Sequence, residues 1–243
     1  MEKQRLDQIV QQRLGVSRSK AQGLIRTGAV LDAAGAPLKQ PGAMFLPEVD
    51  FRVKETPRFV SRGGEKLDAA FVAWPIDVRG LVALDAGAST GGFTDCLLQR
   101  GAAKVYAVDV GYGQLDWKLR QDPRVVVMER FNIRHLTPEH LAEPPAFFTV
   151  DCSFISLRMV LPPIVGVLAE GAQGVALIKP QFEAGREGVG KGGVVRDDEV
   201  RQAAVDDVVA AAHELGFPEV DVIESPLKGP AGNTEYLAWM RGR

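Results

Sequence analysis

The sequence predicts an α/β protein in which a parallel, Rossmann-like sheet follows a small α+β domain, and three observations point there. From residue 80 onward, short apolar runs ("GLVALDAG", "KVYAVDVG", "RVVVME", "AFFTVDCS", "GVALIKP") alternate with helical or loop segments. Strands that are apolar throughout, rather than on one face, belong to a parallel sheet covered on both sides. The first run leads through the glycine-rich turn "LDAGASTGGFTDC" into a helix, where such sheets hold a ligand. The whole-chain charge of −2 also hides an asymmetry: residues 1–66 carry 12 Lys and Arg against 7 Asp and Glu, and the other 177 carry 17 against 24. A basic head on an acidic body is expected to meet a polyanion.

The head, expected over residues 1–58, reads as a helix pair and a few strands. Leu6, Ile9, Val10 and Leu14 share one helix face, and Gly15 ends that helix. Ser17 caps a second helix with Ala21, Leu24 and Ile25 inward and Gly28 at its close. "AVLDAAG", "MFLP" and "DFRVK" are extended runs divided by Gly and Pro. Arg13, Arg18, Lys20 and Arg26 cluster on the pair, either as a solvated face or as a phosphate-binding one. Residues 59–65 are expected to link this head to a body over 66–243.

In the body, "GGFTDCLLQRGA" is a helix ending at Gly101, and the long helix lies near "DDEVRQAAVDDVVAAAHELG". The last two runs, "EVDVIESP" and "EYLAWMRG", have no helix-length gap between them, so an antiparallel closing pair is expected. Residues 159–178 form an apolar window about long enough to span a bilayer. Glu170, Gly171, Gln173 and Gly174 interrupt it, and a buried helix, a turn and a buried strand is the better reading. Apolar content of 46% and charged content of 25% are those of a soluble globular chain. Cys96 and Cys152 have neither disulfide-framework nor zinc spacing and suit a reducing cytosol. The charged start "MEKQRLDQIV" has no secretory apolar region, so a cytoplasmic protein without a bound metal is expected.

Ligands of such sheets bind beyond the carboxyl ends of the strands, where the strand order switches. A dinucleotide fingerprint would need glycine at 87, 89 and 92, but Ser89 stands in the middle, where a pyrophosphate needs the closest backbone approach. Asp85 ahead of the turn suits a cationic or amino group, and Asp109, 24 residues on, can accept two bonds from a ribose diol. A phosphate-free nucleoside with a cationic end fits, which is S-adenosylmethionine rather than NAD. The expected cofactor contacts are Asp85, Gly87, Ser89, Thr90, Gly91, Gly92, Phe93, Asp109, Asn132 and Asp151. Lys179, Asp151 and Glu235 put further charge on strand ends, and Lys66 lies on a helix start in "SRGGEKL".

Two resemblances follow from these segments. "RLDQIVQQRLGVSRSKAQGLIRTGAV" resembles the alpha-L RNA-binding domain of a small-subunit ribosomal protein, some tRNA synthetases and pseudouridine synthases, with "LDAAG" in place of the usual Val-Asn-Gly turn. That implies an RNA-facing set of Arg13, Arg18, Lys20 and Arg26, with Arg62 added from the following segment. The order Lys66, Asp151, Lys179, Glu235 resembles the tetrad of FtsJ-like ribose 2′-O-methyltransferases. Together with the head, "VSRGGEKL", "VDVGYGQL", "NIRHL", "DCSFISL", "LIKPQFE", "GVV" and "GNTEYL" resemble the TlyA (hemolysin A) family of rRNA cytidine-2′-O-methyltransferases along essentially the whole chain. Only "TPRFV" departs, where that family more often carries an aromatic pair with Trp or Tyr. The resemblance implies a class I methyltransferase sheet, S-adenosylmethionine as cofactor, ribosomal RNA within ribosomal subunits as partner, and Lys66, Asp151, Lys179 and Glu235 as catalytic residues.

The chemistry agrees with those roles. A ribose hydroxyl is a poor nucleophile, so a base must take its proton. A lysine does so only when desolvation and a nearby cation lower its pKa, and Lys179 at a buried strand end with Lys66 close by is expected to meet both conditions. Lys66 would then orient the hydroxyl and phosphate, while Asp151 and Glu235 hold the lysines and position the ribose. An N-methyltransferase would carry Asn/Asp-Pro-Pro-aromatic after the fourth strand, where this chain has "DCSF". Three alternatives stand beside this reading: Cys152 as a nucleophile for carbon methylation, a ribosome-docking assembly factor, and the cytolysin that the hemolysin label implies.

Overall fold

Helix ends in the first part of the chain are set by local capping. The computed structural model describes residues 2–54 and 57–243, and the chain divides into two units, before and after the Arg58–Phe59 bond. In the first unit, β1 (Gln4–Arg5) leads into α1 (Leu6–Leu14), which stops where Gly15 turns left-handed at φ 62°. Ser17 accepts from the Lys20 backbone N–H and starts α2 (Arg18–Arg26). Then follow β2 (Val30–Asp32), β3 (Met44–Phe45) and β4 (Phe51–Val53), paired antiparallel as β1 with β3 and β2 with β4. Leu6, Val10, Ala21, Ile25 and Val30 form the core. Leu14, expected among them, is exposed, because the helix ends at the next residue before that part of its face is covered.

One feature of this unit has no sequence signal. Asp7 is fully buried and accepts from Arg5 at 3.0 Å, Gln22 at 2.8 Å and Arg18 at 3.3 Å. The Arg5 hydrogen bond holds its carboxyl far below the usual carboxylate range. Arg13 is likewise engaged within the unit. It donates to the Pro47 and Val49 carbonyls and lies 5.0 Å over the Phe51 ring. Of the four cations expected to face RNA, Arg13 and Arg18 therefore also brace the fold, while Lys20 and Arg26 are exposed.

The second unit runs α3 (Gly63–Ala73), β5 (Val82–Ala86), α4 (Gly92–Gln99), β6 (Lys104–Val108), α5 (Trp117–Arg120), β7 (Val125–Met128), β8 (Phe147–Val150), α6 (Leu157–Val165), β9 (Gln173–Ile178), α7 (Pro180–Glu183), α8 (Asp198–Glu214), β10 (Glu219–Glu224) and β11 (Tyr236–Arg241). Its seven strands lie in the order β10-β11-β9-β8-β5-β6-β7. The five from β7 to β9 are parallel, and β11 inserts antiparallel between β9 and β10. Alternate strand residues feed two core layers: Ala83, Val105 and Ala107 pack with α3 and α4, while Leu84, Tyr106 and Val108 pack with α6 and α8.

One expectation needs correction here. Residues 59–65 are not a linker: Phe59 is buried against Gly64, where a methyl group would overlap its ring, and α3 begins at Gly63. Thr56 of "TPRFV" lies outside the described residues. The crossover from β7 to β8 is made by two 3-10 turns, Ile133–His135 and Pro138–His140, rather than by an α-helix. The apolar window 159–178 is divided as expected between α6, with Pro162 and Pro163 inside it, and β9. Among the described residues, no helix is long and apolar enough to cross a membrane.

Candidate active site

The strand order reverses between β5 and β8, and the ends of these strands open a crevice. Antiparallel β11 pairs Tyr236 with Ile178, so the residue before it, Glu235, arrives at the same rim as Lys179 after β9. Asp151 follows β8, and Lys66 comes from the first turn of α3. All four line one cavity of about 290 Å³. A second cavity of about 390 Å³ shares Gly87, Ser89, Asp151 and Ser153 with it, so the two adjoin at the end of β8.

The four charged residues form two ion pairs. Lys66 Nζ donates to Glu235 Oε2 at 2.5 Å, and both side chains are buried, Glu235 at 1% exposure. Lys179 Nζ donates to Ser153 Oγ at 2.9 Å and lies 2.6 Å from Asp151 Oδ1, a close charge contact without hydrogen-bond alignment. The charge in contact with Lys179 is therefore the Asp151 carboxylate. Ser153 is a site residue that sequence reasoning missed.

The glycine-rich loop does different work at each position. Gly87 has φ 83°, and a Cβ there would stand 2.6 Å from the Asp151 carbonyl oxygen, so glycine lets the loop lie against the end of β8. Methyl groups at Gly91 and Gly92 would overlap Leu119 and the Ser61 hydroxyl respectively, so these two glycines serve close packing of the chain on itself. Gly91 lines neither cavity, contrary to expectation. Thr90, Gly92 and Phe93 line the first cavity. Ser89 is left-handed at φ 49°, and its N–H donates to Asp109 Oδ2 at 2.8 Å. Gly111 N–H donates to the other Asp109 oxygen at 2.7 Å, which leaves the remaining lone pairs of that carboxylate for a ligand.

Asp85 also departs from expectation. It is fully buried, lines neither cavity, and accepts from Thr94 Oγ1 at 2.6 Å and Thr149 Oγ1 at 3.0 Å. It ties β5 to α4 and β8 beneath the loop, and burial pushes its pKa up to about 6. Asn132 does line the second cavity, with its side-chain oxygen accepting from the Arg134 N–H at 3.1 Å. Cys152 lines it too, but burial pushes that thiol up to about 12, which removes the thiolate that carbon methylation would need.

Other buried groups hold the rim. Asn233 donates to the Gly193 carbonyl at 2.8 Å and accepts from Val195 N–H at 2.9 Å, pinning the "GGVV" loop to the start of β11. Glu183 accepts from Ser156 Oγ and Leu157 N–H at the start of α6. Beside the second cavity, Phe154 is 91% exposed at φ 64°, its ring 5.2 Å from Phe182. With Arg134, Met159 and Gln181 these rings line a groove, in which the buried Gln181 Oε1 has no hydrogen-bond partner among the described residues.

The second cavity suits a nucleoside without phosphates. Val108, Phe131 and Ile133 supply apolar walls, Asp109 supplies acceptors, and among the described residues no Lys or Arg lines it. Among the described residues no cluster of metal-ligating side chains occurs.

Comparison with known proteins agrees with this geometry. The FtsJ-like methyltransferase family matches residues 59–242. Over 237 residues the chain is 49% identical to the 16S/23S rRNA (cytidine-2′-O)-methyltransferase TlyA of Mycobacterium tuberculosis, covering 96% of this chain and 88% of that protein. The chain belongs to the TlyA family of FtsJ-like methyltransferases. It is also 45% identical over 223 residues to Hemolysin A of Brachyspira hyodysenteriae, covering 91% and 92% of the two chains. A solved hemolysin-named protein of Streptococcus thermophilus superimposes with a TM-score of 0.74 at 41% identity, covering 99% of this chain and 89% of that one. Fibrillarin of Aeropyrum pernix, solved with S-adenosylmethionine, shares the fold alone, with a TM-score of 0.53 at 17% identity and 81% and 92% coverage. In this TlyA-family methyltransferase the two Lys–carboxylate pairs and the apolar nucleoside-sized cavity stand side by side on one rim.

Proposed function

We propose that this enzyme methylates the ribose 2′-oxygen of cytidine in ribosomal RNA within ribosomal subunits, with S-adenosylmethionine as methyl donor. The observation that carries the reading is the pair of buried Lys–carboxylate contacts in a cavity that adjoins a phosphate-free nucleoside cavity. When bound, S-adenosylmethionine supplies an electrophilic methyl group on a sulfonium. Asp109 would accept from the ribose diol of that cofactor, and Val108 and Ile133 would supply apolar walls for its base. Lys179 in its neutral form takes the proton of the target 2′-hydroxyl at Nζ, steered by Ser153 and Asp151. Lys66, held by Glu235, orients that hydroxyl. The first unit, with Lys20 and Arg26 exposed beside Arg13 and Arg18, holds folded RNA through its phosphates. The relatives named rRNA (cytidine-2′-O)-methyltransferases support the choice of substrate. Mapping 2′-O-methyl groups on rRNA from cells with and without this protein tests it. Loss of a cytidine mark, restored by the purified enzyme acting on isolated subunits, is the expected result; an unchanged map overturns it.

A further inference from the structure

The charges around the first cavity do not balance. Its wall carries four basic side chains, Arg62, Lys66, Lys179 and Lys228, and only two acidic ones, Asp151 and Glu235. The two deep lysines are each matched with one of these carboxylates. Arg62 and Lys228 are left at the exposed mouth, with no ion-pair partner among the described residues. The fold nevertheless holds them together. An Arg62 guanidinium N–H donates to the Lys228 carbonyl at 3.4 Å. The loop that carries Lys228 is closed by Gly229 N–H donating to Asn233 at 2.9 Å, and Gly229 packs so tightly on Glu235 that a methyl group there would overlap the carboxylate. Two unmatched cations lining the mouth of one cavity, one of them tied to the backbone of the other beside a reaction centre, mark a place for an anion.

Two anionic groups could reach it, an RNA phosphodiester or the carboxylate of the cofactor. The charge balance favours the phosphodiester. S-adenosylmethionine carries a sulfonium, an ammonium and a carboxylate, a net positive charge, so its arrival adds to the cationic surplus instead of cancelling it. Resting on the function proposed above, we infer that Arg62 and Lys228 clamp a phosphodiester of the RNA next to the target ribose. The clamp fixes the ribose against Lys179 and offsets the positive charge that the cofactor brings in. Arg62 alone was expected to face RNA; Lys228 is set apart by the cavity it lines and by the brace on Glu235.

The test uses the full-length enzyme, Lys228→Gln, Arg62→Gln, the double variant and Lys228→Arg. Filter retention of isolated ribosomal subunits is measured across KCl concentration, together with steady-state methyl transfer and calorimetric binding of S-adenosylmethionine without RNA. Each Gln substitution is expected to weaken retention and raise the KM for subunits roughly tenfold. The slope of log affinity against log salt should become shallower by about one per cation removed. Cofactor affinity without RNA should stay at the wild-type value, and Lys228→Arg should restore retention. Wild-type retention and salt slope in Lys228→Gln would overturn the clamp. So would a loss of cofactor affinity with retention unchanged, which would assign the two cations to the cofactor carboxylate. Retention is read without methyl transfer, so a wild-type enzyme that binds subunits but modifies none would count against the proposed function and leave the clamp standing.

Discussion

Lys179 separates two ways in which a lysine serves a reaction centre. As a proton acceptor it must be able to stand neutral; as a mere charge it can be replaced by any cation. Lys179→Ala removes the acceptor without touching the Gly87–Gly92 loop, so methyl transfer should fall by ~10²–10⁴-fold while cofactor affinity stays nearly constant. Lys179→Arg should be nearly as damaging, because a guanidinium holds its proton at neutral pH. Single-turnover transfer for both variants across pH decides the matter, and a rate within a few-fold of wild type in the arginine variant would leave Lys179 as a charge only. Asp85 gives a stability prediction. Its folded pKa of about 6 lies above the ordinary 3.8, so between those values the native state holds a proton that the unfolded chain has lost. Its contribution is therefore fully present below pH 3.8 and is lost as pH rises through 6, up to about 3 kcal/mol in all. Asp85→Asn should lack that decline, and denaturant unfolding of both proteins from pH 4 to pH 7 measures the difference in slope.

At the scale of elements, the loop between β5 and α4 is held by contact with β8 as much as by its own turn. Gly87→Ala would set a methyl group against the Asp151 carbonyl and force a left-handed conformation on a residue with a Cβ. Stability should drop by about 1–3 kcal/mol. Cofactor affinity and rate should fall together, because Asp151 moves with the loop; calorimetry and single-turnover transfer read both. This coupling also shows what a sequence can and cannot reveal. The parallel strands of the sheet were legible because they are apolar along their length, and the rim was legible because Asp151 and Lys179 follow such runs and Glu235 precedes the last one. Caps at Gly15 and Ser17 likewise announced α1 and α2. Asp85 and Asp109 read alike, as carboxylates at strand ends. One turns inward only because Thr94 and Thr149 come within reach, which depends on how α4 and β8 pack. Gly91 looked like a ligand-facing glycine, yet its neighbour is Leu119, which no local pattern connects to it. Phe59 read as linker because its partner is a bare glycine five residues on.

For the whole molecule, the division at Arg58 makes a clear experiment available. Each unit has its own apolar core, so deletion of residues 1–58 should leave a folded body that still binds S-adenosylmethionine. That body should fail to modify ribosomal subunits, and the intact enzyme should lose subunit affinity steeply as salt rises. Circular dichroism, calorimetry and methyl transfer on the truncated chain check the three parts, and retained transfer would show the first unit to be dispensable.

The placement of β11 has a consequence in time. It is made after β10 but lies inside it, between β10 and β9, so the sheet cannot close in the order in which the chain is synthesised. Until residues 236–241 are threaded into place, β9 presents a bare edge and β10 has nothing to pair with, and such late, non-local pairing is a slow step of folding. Glu235 stands immediately before that strand. A chain still on the ribosome that is making it therefore holds Lys66 without its carboxylate, and the last of the four charges reaches the rim only as translation of this segment ends.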